Sequence, residues 1–74
     1  MLAPVPPPLR AILHDPALAP GAKAALFAGT IALVERELAA GGGDPATRAR
    51  YRALRATARR LYEEFAVAAR EPAD

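Results

Sequence analysis

His14 followed at once by Asp15 is the only adjacent imidazole and carboxylate in the chain. A carboxylate beside a histidine orients the ring and raises its basicity, so such a pair can serve general acid-base chemistry. Nucleophilic catalysis needs in addition an activated hydroxyl, thiol or amine, and the sequence has one His, no Ser and no Cys. A surface histidine next to an Asp that caps a helix accounts for the same two residues, and no catalytic residue is assigned. With no second His, no thiolate and no His-to-Glu spacing on one helix face, no metal ligand set is assigned either. Gly41, Gly42 and Gly43 follow a helix-like stretch and lack the Lys-Ser/Thr ending of a phosphate loop, so they read as a turn, and no cofactor is expected. Glu63 and Glu64 are neighbours and point about 100° apart on a helix, which suits ion pairs better than a catalytic dyad. An enzyme is not expected.

The arginines of the second half carry more information. Arg48, Arg50, Arg52, Arg55, Arg59 and Arg60 crowd one helical stretch, and positive charge near its start opposes the helix dipole unless it is paired or used. Four of the six have acids at suitable positions: Glu37 for Arg48, Glu35 for Arg50, and Glu63 and Glu64 one turn beyond Arg59 and Arg60. Arg52 and Arg55 have none. Arg48, Arg52, Arg55, Arg59 and Arg70 fall within about 60° of one another on a helical wheel, a stripe suited to phosphates or an acidic surface. The chain has no Asn or Gln to read bases, which leaves nucleic-acid binding as the alternative reading and not the first.

The elements that place these residues follow from proline, glycine and spacing. Four of the eight prolines lie in residues 1 to 8, predicting an extended arm, followed by a short amphipathic helix over 9–14 built on Leu9, Ile12 and Leu13. Pro20 opens a helix expected to run to about residue 40, where the glycines end it. Asp44 and Pro45 form an N-cap and first turn, and with no Gly or Pro before Pro72 a second helix is expected over 45–71. A short loop between helices of this length makes them antiparallel neighbours. The fold class is therefore all-α: one small domain, a helical hairpin with a Pro-rich N-terminal segment and a short N-terminal helix, assembling into a bundle.

Each long helix shows an apolar stripe at spacings of three and four. Ala24, Phe27, Ile31, Val34 and Leu38 form the first; Thr47, Tyr51, Leu54, Ala58, Leu61, Phe65 and Ala68 form the second. Folding about the glycines sets Leu38 opposite Thr47, Val34 opposite Tyr51, Ile31 opposite Leu54, Phe27 opposite Ala58 and Ala24 opposite Leu61. Phe65 and Ala68 are then left roughly two turns beyond the first helix, for Leu9, Ile12 and Leu13 to cover.

The first helix is apolar on more than this stripe. Leu26 and Leu33 stand about 110° from it, near Ala22, Ala25 and Gly29, and a two-helix protein gains nothing by showing them to water. A chain of 74 residues without cysteine has neither a large core nor disulfides, and a partner is the remaining support. The expected function is a non-enzymatic protein-protein interaction or assembly module, a homodimer or a small subunit of a larger complex, with Ala22, Ala25, Leu26, Gly29 and Leu33 as the contact. A net charge of +2 does not by itself imply a polyanion partner. The start lacks a basic and apolar leader, and the longest uncharged run, Ala24 to Val34, is shorter than the roughly 20 residues of a membrane span. A cytoplasmic protein with no membrane partner is expected.

Overall fold

Proline opens each of the three helices among the described residues, because the first turn of a helix has no use for the N–H that proline lacks. The computed structural model describes residues 5–70, and in it α1 spans Pro7–Leu13, α2 Pro20–Ala39 and α3 Pro45–Arg70. Among these residues there is no strand. The N-terminal helix starts two residues earlier than proline content suggests: Pro7 and Pro8 occupy its first turn, and Pro6, extended at ψ 147°, supplies the carbonyl that accepts from Leu9 and Arg10. The expected arm thus shrinks to residues before Pro7, and its residues 1–4 lie outside the described residues, as does residue 71 at the expected end of the second helix.

The hairpin turn is built from three local devices. Asp44 caps α3, its Oδ1 accepting the Thr47 N–H at 2.7 Å. At the end of α2 the chain leaves through Gly41 and Gly43, whose φ values of 77° and 90° exclude most side chains. Arg48 then reaches back from α3 and donates to the carbonyls of Leu38 at 3.2 Å and Gly42 at 3.3 Å. These acceptors belong to the end of α2 and the loop, where carbonyls have no helical partner. This arginine therefore locks the turn, and its expected ion pair with Glu37 is absent; among the described residues the one ion pair within 4.0 Å joins Arg59 to Glu35.

α2 and α3 pack antiparallel along the two expected stripes. Ala24, Phe27 and Val34 are buried from one helix, Ala58 and Leu61 from the other, while Ile31, Leu54 and Phe65 pack partly buried against them. The level of pairing differs from the layers expected. The Phe27 ring lies 5.8 Å from that of Phe65, the Lys23 ammonium 5.2 Å from the Phe65 centroid, and a Cβ at Gly21 would sit 3.8 Å from that of Ala69. Glu35 meets Arg59 and not Arg50. Each contact lies farther along α3 than folding about the glycines implies. Sliding one helix by a turn, about 5.4 Å, returns the same stripe to the seam, so the pattern sets the face and leaves the level to the turn. Phe65 consequently has α2 partners after all, and Ala68 is exposed instead of covered.

α1 closes one face of the hairpin. Leu9 is fully buried in the cluster of Phe27, Ala58 and Leu61, with Val5, Ile12 and Leu13 packed around it. Lys23 Nζ donates to the Leu13 carbonyl at 2.8 Å, satisfying an end of α1 that has no helical donor of its own. At the other end Pro6, Pro7 and Pro8 border an apolar depression of about 350 Å³ with Tyr51 and Leu54.

Candidate interaction surfaces

Among the described residues the outer face of α2 carries exposed apolar side chains. Leu26 is 45% and Leu33 62% exposed, and Ala22, Ala25 and Gly29 are exposed with them. The two leucines are one heptad apart on the same side of the helix, about 10 Å along its axis. Between them a Cβ added at Gly29 would meet nothing within 4 Å, so the helix backbone is open to close approach there. All five residues singled out from the sequence thus lie together on one accessible face. The core behind them is small: among the described residues the fully buried large side chains are Phe27 and Leu9.

The arginines divide by job. Arg48 holds the turn, Arg59 donates to Glu35 Oε1 at 3.0 Å across the seam, and Arg70 Nε donates to the carbonyl of Ala66 on its own helix. Arg52, Arg55 and Arg60 have no acidic group within 4.0 Å among the described residues, and the expected pairs of Arg59 with Glu63 and Arg60 with Glu64 do not form. Arg52, Arg55, Arg59 and Arg60 instead line one open depression of about 370 Å³, with Ala56 and Glu63. The stripe read from the sequence is therefore split. Arg48 and Arg70 are drawn to backbone carbonyls at the two ends, and Arg60, on the helix edge, joins Arg52, Arg55 and Arg59 in the middle. The signal for this grouping is Ala56, a side chain too short to fill the space between the surrounding arginines.

Lys23 and Glu35 stand on opposite flanks of the α2 stripe, about 120° apart at 100° per residue. Lys23 bonds α1 and Glu35 bonds Arg59, so α1 and Arg59 lie on opposite flanks of the hairpin, and the arginine depression is lined by α3 alone.

The remaining titratable residues have structural places. His14 ends α1, its backbone N–H donating to the Arg10 carbonyl at 3.0 Å, and Asp15 Oδ1 accepts the Ala17 N–H at 2.9 Å. Asp15 thus shapes the turn between α1 and α2; α2 begins without a side-chain cap, which corrects the expectation of an N-capping Asp there. Hydrogen bonds from the backbone and side chain of Thr47 hold the Asp44 carboxyl below its ordinary pKa. Among the described residues no three His, Asp or Glu side chains gather where a metal ion could be held, and no helix is long and apolar enough to cross a membrane. Val67, 52% exposed, and Tyr62, 38% exposed, add apolar surface on α3 that stripe reasoning overlooks, because both lie off the seam. No protein-family model, curated protein or solved structure matches the chain.

Proposed function

We propose that this chain is a non-enzymatic, cytoplasmic assembly module whose α2 outer face docks on a second copy of itself, giving a helical bundle. The observation that supports this reading is the exposure of Leu26 and Leu33 beside Ala22, Ala25 and Gly29. A two-fold axis near Gly29 sets Leu26 across from Leu33 of the partner subunit and the reverse, which is the self-complementarity an isologous contact requires. Small residues between the leucines let the helices approach closely, and the leucines fill the space on either side.

The energy involved is modest. Fully burying a leucine is worth about 1.5–3 kcal/mol, and these leucines are about half exposed, so each gains roughly 1 kcal/mol and the four of a dimer roughly 4 kcal/mol. Alanines add to this, and the loss of rotational freedom subtracts from it. The dimer is consequently weak, and its test spans about 10 μM to 1 mM. Thermal melting of the wild type is expected to shift upward across that range, while Leu26→Glu with Leu33→Glu melts lower and without concentration dependence. Equal melting temperatures for wild type and variant at every concentration would remove this face as the contact.

A further inference from the structure

We infer that the depression lined by Arg52, Arg55, Arg59 and Arg60 is a binding site for the phosphodiester backbone of a nucleic-acid duplex. It is a second surface, carried by other residues than the α2 face, and its test is independent of the assembly reading.

Four guanidinium groups share one open hollow with a single carboxylate, Glu63. Arg59 is held by Glu35, but Arg52, Arg55 and Arg60 have no acid within 4.0 Å among the described residues. Like charges gathered on one helix repel one another, and Arg52 and Arg60, exposed and unpaired, keep their long side-chain freedom in water. A polyanion relieves the first cost, and the planar guanidinium matches phosphate oxygens in a bidentate fork.

Length sets the class of anion. From Arg52 to Arg59 the helix rises about 10 Å, at 1.5 Å per residue. One strand of a duplex places a phosphate about every 3.4 Å along the axis, so about three phosphates face this stretch, as many as there are unpaired arginines. A small phosphate ester would use one or two of them and leave the rest unpaired.

Composition separates a nucleic acid from an acidic protein. Protein interfaces keep an apolar centre, whereas nucleic-acid interfaces are polar and strongly positive. Ala56 is the only apolar residue of the lining, and the exposed leucines are on α2, away from it. No Asn or Gln is available anywhere in the chain to read an adenine edge, and the three unpaired arginines are matched in number by the phosphates they face.

The test is fluorescence anisotropy of the full chain with labelled 20-base-pair duplexes of random sequence, DNA in one arm and RNA in the other, over a salt series. Three neutralised phosphates give a slope of log affinity against log salt near −2.7, so raising salt from 50 to 200 mM weakens binding about 40-fold. Arg52→Gln with Arg55→Gln should leave the circular dichroism spectrum unchanged and reduce that loss to about 4-fold. Arg10→Gln with Arg50→Gln, a charge-matched control away from the hollow, should keep the wild-type slope. The proposal is overturned if neither duplex binds at 50 mM salt with protein up to 1 mM, or if both double variants lose affinity equally. It is overturned too if poly-glutamate of equal charge displaces the duplex as well as unlabelled duplex does, because the site would then select carboxylates no less than phosphates.

Discussion

Replacing Leu9 by Ala probes whether α1 is part of the core or an ornament on it. Leu9 is fully buried against Phe27, Ala58 and Leu61, and it is the one fully buried side chain that α1 contributes. Leu-to-Ala changes in cores cost about 2–5 kcal/mol, the spread reflecting how far the surroundings collapse into the space. Here the outcome has a ceiling. α1 has seven residues and can detach, so the loss cannot exceed the free energy of docking it. Partial collapse and that ceiling together place the expected loss at the low end, about 2–3 kcal/mol. For a domain of this length total stability is about 4–11 kcal/mol, so this is a large fraction, equivalent to a fall in Tm on the order of 10–20 °C. Urea unfolding at one fixed protein concentration measures it, with Val67→Ala as the exposed control expected to stay within about 0.5 kcal/mol. Deleting residues 1–14 should cost at least as much as Leu9→Ala and weaken amide protection near Phe65. A Leu9→Ala loss under about 0.5 kcal/mol would show that α1 docks without stabilising the hairpin, and the reasoning from burial would fail.

Leu54→Asp should lower stability by at least about 2 kcal/mol while Arg55→Asp changes it by less than about 0.5 kcal/mol, since the first puts a charge beside the core cluster and the second alters the wetted face; comparable melting temperatures would contradict the seam. Asp44 has its carboxyl pKa lowered by the Thr47 hydrogen bonds. Its capping contribution is therefore complete above about pH 4, the ordinary aspartate range, and is lost as pH falls through the lower folded value. Asp44→Ala should fray the first turn of α3 at neutral pH, seen as faster amide exchange at Thr47 and Arg48, and should flatten the acid limb of a pH melt; an unchanged acid limb would show that the cap does not stabilise α3.

The helices were legible because their boundaries are chemical. Pro20, the glycines at 41–43 and the Asp44-Pro45 pair each leave the backbone few choices: α2 and α3 begin at Pro20 and Pro45, and α2 ends at Ala39, two residues before the first glycine. The faces were legible too, since periodicity at 3.6 residues names the buried stripe and places Leu26 and Leu33 outside it. The level of the seam was not. Phe27 meets Phe65 and Glu35 meets Arg59 because a slip along a helical stripe keeps apolar groups together, so no sequence pattern penalises it. Arginine partners were misassigned for the same reason, and also because Arg48 finds backbone carbonyls, acceptors that carry no side-chain signature. α1 starts earlier than expected because Pro7 and Pro8 fit a helix's first turn as well as they fit an extended arm.

Sedimentation equilibrium of the wild-type chain from about 10 μM to 1 mM tests the α2 contact most directly, because mass responds to assembly whatever its effect on stability. A single chain weighs 7.8 kDa. The expected result is a weight-average mass rising toward twice that value with concentration, and remaining at the single-chain value throughout for Leu26→Glu with Leu33→Glu. A wild type that stays at the single-chain mass to 1 mM, or a variant that assembles as the wild type does, would contradict self-association through the outer face of α2.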